Sequence, residues 1–301
     1  MASFDKLVRD KIDRIDTIPD EFVSKVTKLQ RAAYERITEL LKQLELTPEG
    51  TIALTDANFA IVNQIGNAIP DTIYSTGYLE DVRAFMGEFD QQAVINTDLY
   101  QSISDVNVES VNRALYNQSK QIAAEQLTTG LTSTMQTEVK ALLNQAVSTS
   151  SNYTDLLNNL RNYYEGTEAF EGAMQRYTKQ QAFDLFTITD RQYSNSLADQ
   201  FTVEFYKYQG GTKDTTREFC LERAGKIYHK KEIEGWGMGE KCCGLSYPKS
   251  GGWPGQAKGT NASTIFALAG GYNCSHVFIP VARRFVPESV LERARESGLI
   301  D

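Results

Sequence analysis

The spacing of apolar residues in the N-terminal part of the chain is that of an amphipathic helix. After Pro19 and Asp20, apolar residues recur every three or four positions: Phe22, Val26, Leu29, Ala33, Ile37, Leu40 and Leu44. This spacing keeps the side chains on one face of an α-helix, and charged residues take most of the other positions. Pro19 suits the first turn of such a helix, and Thr47-Pro48-Glu49-Gly50 is a sequence that ends one. The pattern therefore predicts a helix between Pro19 and Thr47 that packs against neighbouring helices.

Further helices are predicted downstream, with ranges 55–69, 108–126, 134–147, 153–164 and 170–208. We expect Thr154 to cap the fourth of these and Gly210-Gly211 to end the last. Residues 277–281 are all apolar and include three β-branched residues, which predicts a strand. The expected fold class is mainly α, with an elongated helical N-terminal region and a small, irregular α+β module, rich in Gly, Cys and His, at the C-terminal end.

The change in composition at Gly210-Gly211 divides the chain into three predicted regions. Residues 1–209 form a helical region, residues 210–285 a Cys- and His-rich module, and residues 286–301 a C-terminal helix or tail. The helices between residues 100 and 200 are rich in Asn, Gln, Ser and Thr. Such helices bury little apolar surface and are often stabilised by neighbouring subunits in an assembly, although solvated surface helices are the more common case.

Hydropathy and charge exclude some classes of protein. The chain has no apolar run of about 18 residues, so no membrane span is expected. Its N-terminus, Met1 to Lys6, lacks the basic start and apolar core of a signal peptide, which predicts cytoplasmic synthesis and reduced thiols. Between Lys207 and Arg295 the net charge is +6, and the rest of the chain carries −14. The acidic part is a poor candidate for nonspecific DNA binding, because contacts to phosphate need cations.

Cysteine and histidine, the residue types that bind zinc best, are confined to one short stretch of the chain. It contains all four cysteines and both histidines: Cys220, His229, Cys242, Cys243, Cys274 and His276. Thiolate and imidazole are the side chains that hold structural zinc. The connections in this stretch are rich in Gly and bury little apolar surface, so the module needs another source of stability.

A tetrahedral zinc ion would supply that stability, and the best ligand set is Cys220, Cys243, Cys274 and His276. Cys274 and His276 are two positions apart, so in an extended segment their side chains point to the same side. Adjacent Cys242 and Cys243 point in different directions, so one of the two is expected to bind; Cys242 is the alternate to Cys243. His229 competes for the fourth position. A module without metal, in which the thiols stay reduced, is the other interpretation.

Two further groups of residues have both a structural and a functional interpretation. Asp214 and Arg217 are expected to brace a turn through charge-assisted hydrogen bonds, with anion binding as the alternative. Four aromatic residues lie among lysines, as a surface that stacks on nucleic-acid bases requires: Trp236, Tyr247, Trp253 and Tyr272. In a glycine-rich module such residues are more often a small core.

The C-terminal module resembles the signature of the head-morphogenesis proteins of tailed bacteriophages, the minor head proteins of the Mu type. The resemblance rests on Asp214-Thr215-Thr216-Arg217-Glu218-Phe219-Cys220, on Gly225-Lys226-Ile227-Tyr228, and on the closing block from Gly270 to Val281, which contains Asn273-Cys274-Ser275-His276. The polar helix before it also fits, so that the resemblance covers about residues 170–285. Ser275 replaces an Arg of the family pattern, and Cys242-Cys243 is an addition to it.

The resemblance implies a structural protein of the virion, located in the head at the portal vertex and involved in DNA packaging and delivery. Its implied partners are the portal protein, other head proteins and further copies of itself, close to packaged DNA. A head-to-tail connector protein is the alternative. A zinc-dependent hydrolase, with Glu218, Glu232 or Glu240 as base, is the other alternative; it is disfavoured because the chain has no His-Glu-x-x-His and no P-loop. We therefore expect a protein that is not an enzyme.

Overall fold

The computed structural model describes residues 3–103, 114–238 and 252–301. It confirms a mainly α fold with a small antiparallel sheet near the C-terminal end. The helices are α1 Phe4–Leu41, α2 Asp56–Tyr74, α3 Tyr78–Ile103, α4 Ala114–Glu125, α5 Leu131–Ser148, α6 Tyr153–Glu165, α7 Ala173–Gln200, α8 Glu218–Arg223, α9 Lys230–Met238, α10 Ile265–Leu268 and α11 Glu288–Glu296. The strands are β1 Phe205–Gln209, β2 Ile227–His229 and β3 Val277–Val281. No helix within these ranges is long and apolar enough to cross a bilayer.

The chain separates into two compact units, and neither is one continuous segment. The sheet unit consists of Met1–Ile18, Gly87–Gln121 and Phe183–Asp301, and the helix unit of Pro19–Met86 and Ile122–Ala182. The predicted boundary at residues 209 and 210 therefore lies inside the sheet unit. The functional division that it was meant to mark stays a prediction.

The helix unit has an apolar core formed by residues with helical spacing. Helix α2 buries Val62, Ile65 and Ile69 and packs against α5, which buries Val139 and Leu143. Caps fix where these helices begin. The Thr55 side chain accepts a hydrogen bond from the backbone N–H of Asn58, and Asn152, rather than the expected Thr154, caps α6.

Helix α1 differs from the prediction at its start. It begins at Phe4, and Pro19 lies inside it rather than in its first turn. Proline has no N–H to donate and is costly inside a helix, so the sequence alone favours a helix that begins there. The apolar face of the first turns is also interrupted, because Lys11 occupies a fully buried position on it. The boundary between the two units falls at Ile18 and Pro19.

The sheet has the order β2-β1-β3, with both pairings antiparallel. Phe205 lies opposite His229 on one side and opposite Val281 on the other, and Tyr208 lies opposite Phe278. The strand predicted at residues 277–281 is confirmed as β3. The helix predicted to continue to residue 208 was wrong there, because α7 ends at Gln200 and the following residues form the central strand.

Aromatic and aliphatic side chains cover the sheet. Phe205 packs with Val286 and Ala294, which brings α11 against it. Trp236 is fully buried and meets Tyr208 and Tyr228 edge to face. Edge-to-face pairs of this kind add to the stabilisation that burial itself gives.

A buried ion pair joins three helix segments of the sheet unit. Lys11 on α1 and Asp190 on α7 are fully buried, and the Lys11 Nζ lies 2.8 Å from both carboxylate oxygens. On α3, Gln92 and Asn96 donate amide hydrogen bonds of 2.9 and 2.8 Å to Asp190 Oδ1. Lys11 also donates to the Asn96 side-chain oxygen. The pair is thus satisfied on all sides, as a buried charge requires.

Candidate metal centre

Three of the predicted ligands come together in the sheet unit. Cys220 lies in the short helix α8, Cys274 in the segment after α10, and His276 directly before β3. Their ligand atoms all lie within 4.8 Å of one another. We refer to Cys220, Cys274 and His276 as the Cys–His cluster.

The cluster is closed to solvent and its cysteines are free. The three side chains are 2–3% exposed. The Sγ atoms of Cys220 and Cys274 are 3.8 Å apart, too far for a disulfide bond of about 2.05 Å. The Sγ of Cys274 lies 4.0 Å from His276 Nδ1. The other ring nitrogen, His276 Nε2, is buried without a hydrogen-bond partner among the described residues.

Tyr208, from the central strand, completes the wall of the cluster. Its side chain is fully buried, and its hydroxyl lies 3.4 Å from Cys220 Sγ and 3.5 Å from Cys274 Sγ. Its ring stacks on the His276 imidazole with centroids 5.0 Å apart. One strand therefore fixes a polar atom against both sulfurs.

Gly270 leaves space beside the sulfurs. A Cβ atom at this position would lie 2.4 Å from Cys220 Sγ, 2.8 Å from Cys274 Sγ and 3.2 Å from the Tyr208 hydroxyl. Distances this short to sulfur exclude a carbon atom, so every residue other than glycine would collide with the cluster. The volume that the missing side chain leaves open faces the same three donor atoms.

Helix α7 holds the segment that carries Cys274 and His276. Arg191, itself buried, donates hydrogen bonds to the backbone carbonyls of Ala267 and His276 at 3.2 and 3.0 Å, and to that of Cys274. About two turns earlier on the same helix, Asp184 Oδ1 accepts a 2.7 Å hydrogen bond from the backbone N–H of Asn273, whose φ of 54° is left-handed. These bonds fix the backbone on both sides of Cys274.

The environment distinguishes the two thiols. Hydrogen bonding from Cys220 and His276, with the nearby Arg191 guanidinium, holds the pKa of Cys274 well below its usual value despite burial. The hydrogen bond to Cys274 and burial raise the pKa of Cys220. Burial raises the pKa of Tyr208 well above its ordinary value.

This arrangement could hold a metal ion. Two thiols and an imidazole are a donor set for zinc, and the space beside Gly270 adjoins both sulfurs. The enclosure is typical of a structural site, because a catalytic metal keeps one position open to water or substrate. Zinc bound here would fasten α8, the segment before β3 and the central strand to each other.

His229, the predicted competitor for the fourth position, does not join this group. Cys242 and Cys243 lie outside the described residues. His229 ends β2 opposite Phe205, at the start of β1, whereas His276 lies beside Gly210, just after the end of β1. His229 Nδ1 instead accepts a hydrogen bond from the backbone N–H of Lys231, and burial lowers the pKa of its imidazole.

Of the two residues expected to brace a turn, Arg217 forms a hydrogen bond through its side chain. The Arg217 guanidinium donates a 2.6 Å hydrogen bond to the backbone carbonyl of Tyr272 and so ties the start of α8 to the closing segment. Asp214 is exposed, and within the described ranges no hydrogen bond or ion pair of its side chain is present. Thr216 braces that turn instead, since its hydroxyl accepts from the backbone N–H of Lys213 at 2.7 Å.

Two of the four aromatic candidates are part of the core. Trp236 and Trp253 are buried, and Trp253 stacks on Phe219 at 3.9 Å, so neither ring is available to nucleic-acid bases. Tyr247 lies outside the described residues. Tyr272 is 49% exposed.

Of the three glutamates named as possible bases, the structure describes two. Glu218 is exposed at the start of α8. Glu232 is buried and bound by the Arg293 guanidinium at 2.9 and 3.1 Å, which gives it a structural role. Glu240 lies outside the described residues.

Tyr208, Gly270, Arg191 and Asp184 shape the cluster, and sequence analysis missed all four. The alternation in Phe205-Tyr206-Lys207-Tyr208 is a strand signal that would have placed Tyr208 on a sheet. Asp184 and Arg191 are seven positions apart, which puts them on one helical face. Nothing in the sequence indicates that this face is buried by the closing segment.

No relative supplies a ligand set for this cluster. Comparisons of the chain with known protein families, with characterised proteins and with solved structures found no match. The residues that could hold a metal here are therefore identified from their own geometry.

Proposed function

We propose that this chain is a structural protein of a tailed-phage virion, a minor head protein that acts at the portal vertex and binds the portal protein. The observation that carries the proposal is the meeting of the two halves of the signature in space. Cys220, at the end of the first half, lies against Cys274 in the second. Arg217 in the first half binds the backbone of Tyr272 in the second. Residues from both halves of the signature thus meet at one buried cluster.

The helix that precedes the signature supports the same proposal. In the resemblance, a polar helix leads into the signature, and here α7 supplies Arg191 to three carbonyl oxygens of the closing segment. The polarity of this helix therefore has a structural reason. A polar side chain of α7 binds the closing segment of the signature, so the polar residues of this helix do not all face solvent.

In this proposal the Cys–His cluster holds a structural zinc ion. Cys220, Cys274 and His276 are three of its ligands, and a tetrahedral ion takes one further donor. The enclosed position of the cluster favours a structural role over hydrolysis, for which zinc would need access to water. The protein is therefore proposed to have no catalytic activity.

The distribution of charge suits a protein near packaged DNA. Outside Lys207–Arg295 the chain carries a net charge of −14. Such a surface lies beside DNA without adhering to it, because phosphate binding requires neutralising cations. We propose that this helps DNA pass during packaging and delivery.

Quantitative mass spectrometry of purified particles of the phage that encodes the chain tests the proposal. The expected result is a few copies in each particle, present in heads that lack tails. Absence from particles would overturn the structural role. A copy number equal to that of the portal protein, together with cleavage by protease from outside the particle, would overturn it in favour of a connector.

Binding to the portal protein is tested separately. Co-expression of the full chain with the portal protein is expected to give a complex that survives size-exclusion chromatography. The full chain is needed, because residues 1–18 and 87–121 belong to the sheet unit and an N-terminal truncation would disrupt it. Elution of the two proteins apart would contradict the proposed partnership.

A further inference from the structure

A fourth donor atom lies within the Cys–His cluster. The Tyr208 hydroxyl is 3.4 and 3.5 Å from the two sulfurs, which are 3.8 Å from each other. Tyr208 belongs to the middle strand of the sheet, so pairing on both sides fixes its backbone. The hydroxyl position is thus set by the fold.

These distances can be compared with those of a tetrahedral zinc site. With Zn–S bonds of about 2.3 Å and a Zn–O bond of about 2.0 Å, two sulfur ligands lie about 3.8 Å apart, and sulfur and oxygen ligands about 3.5 Å apart. All three measured distances agree with these values to about 0.1 Å. The Cys274 Sγ to His276 Nδ1 distance of 4.0 Å exceeds the corresponding value of about 3.6 Å, so the imidazole would move inward by a few tenths of an ångström.

We propose that Tyr208 is the fourth ligand of the zinc ion, which makes the site Cys220, Cys274, His276 and Tyr208. The inference rests on the proposed zinc centre and identifies its complete ligand set. The described part of the chain then supplies all four ligands of the ion.

The chemistry of the site is consistent with an ionised phenol. A bound dication favours loss of the phenol proton to solvent, as it does for thiols and for water. Two thiolates and one phenolate leave the zinc site with a net charge of −1. The Arg191 guanidinium, bound to the backbone of Cys274 and His276, supplies the compensating positive charge that a buried anion requires.

The experiment uses the full chain, prepared without metal and titrated with zinc. Near-ultraviolet difference spectra report formation of tyrosinate, and X-ray absorption counts the sulfur atoms around the ion. Tyr208→Phe removes the proposed ligand. Tyr206→Phe is the matched control, because Tyr206 is buried on the same strand and its hydroxyl lies near the Val203 carbonyl, at 3.3 Å, instead of the sulfurs. A Cys242→Ser/Cys243→Ser double variant tests the competing donors.

We expect two sulfurs per zinc and a tyrosinate signal on zinc addition in the wild type, the Tyr206→Phe control and the double variant. Tyr208→Phe should lose the signal and bind zinc more than about 100-fold more weakly, beyond the roughly 10- to 100-fold loss typical of a residue that only hydrogen-bonds to a ligand. Three sulfurs per zinc with no tyrosinate would overturn the role of Tyr208 and leave the zinc centre in place. No zinc binding by the wild type would overturn both.

Discussion

The absence of a side chain at Gly270 keeps the interior of the Cys–His cluster open. A Cβ atom there would lie 2.4 and 2.8 Å from the two sulfurs, and the φ angle of Gly270 is not in the left-handed region. An alanine there is thus excluded by the cluster and not by its own backbone. The effect of a substitution at Gly270 reports on the space beside the sulfurs.

Gly270→Ala is expected to abolish zinc binding, because the added methyl group occupies the space beside both sulfurs. Zinc per chain, measured by inductively coupled plasma mass spectrometry after dialysis, checks this. Gly87→Ala is the control, since a Cβ at Gly87 meets nothing within 4 Å. Full zinc occupancy in Gly270→Ala would show that the ion lies elsewhere.

Tyr228 gives a prediction for alkaline pH. Burial raises the pKa of its phenol to about 12, and its hydroxyl is buried with no hydrogen-bond partner among the described residues. The unfolded chain, with a tyrosine pKa of about 10, loses this proton first. The stability that the neutral phenol supports is therefore complete below pH of about 10 and is lost as the pH rises toward about 12.

Tyr228→Phe should accordingly weaken the loss of stability between pH 10 and 12 in urea denaturation, relative to the wild type. At pH 7 the variant should be as stable as the wild type or more stable by up to about 1 kcal/mol, since it removes a buried hydroxyl that lacks a partner. A steeper alkaline decline in the variant would contradict the role assigned to this phenol.

At the scale of elements, polar residues at buried positions decide how much of the fold is readable from the sequence. The apolar spacing of residues 22–44 gave the second part of α1, and apolar runs gave α2, α5 and β3. The first turns of α1 bury Lys11, and α3 buries Gln92 and Asn96, so the apolar face on each is broken. Those segments were not predicted, because a polar residue can be buried there only when a partner on another helix forms a hydrogen bond or ion pair with it, and the sequence does not show that partner.

The candidate site was likewise only partly predictable from the sequence. Cys220, Cys274 and His276 were predicted from residue type, which is a strong signal for metal ligands. Tyr208 and Arg191 were not, since tyrosine and arginine occur in many settings and their role here depends on which segments meet. That meeting depends on β1 pairing with β3 over a long sequence separation, which local patterns do not reveal.

The buried Lys11–Asp190 pair offers a test at this scale. Lys11→Met and Asp190→Leu should each destabilise the protein by about 3–5 kcal/mol, because each leaves a buried charge without its partner. The double variant should cost clearly less than the sum of the two. Urea denaturation of all three gives the coupling energy.

A matched control for this cycle is Lys6→Met, on the same helix. Lys6 pairs with Asp10 at an exposed position, so its removal should change stability by less than about 1 kcal/mol. Additive effects of the two buried substitutions would show that the pair does not fasten α1 to α7.

For the whole molecule, a metal ion that binds only the folded chain raises the free energy of unfolding, by an amount that grows with the logarithm of the ratio of free metal concentration to Kd. The Cys–His cluster joins α8, the segment before β3 and, through Tyr208, the central strand. Loss of zinc is therefore expected to destabilise the sheet unit as a whole rather than one loop. The metal content of the chain should therefore determine the stability of the sheet unit.

The most direct measurement is the zinc content of the full chain, purified without added metal, together with its thermal unfolding before and after treatment with a strong chelator. The proposed zinc centre predicts about one zinc per chain, a lower Tm after chelation, and loss of both the metal and the chelator effect in Cys274→Ser. A wild-type chain without zinc, and with a Tm that neither zinc nor chelator changes, would contradict it.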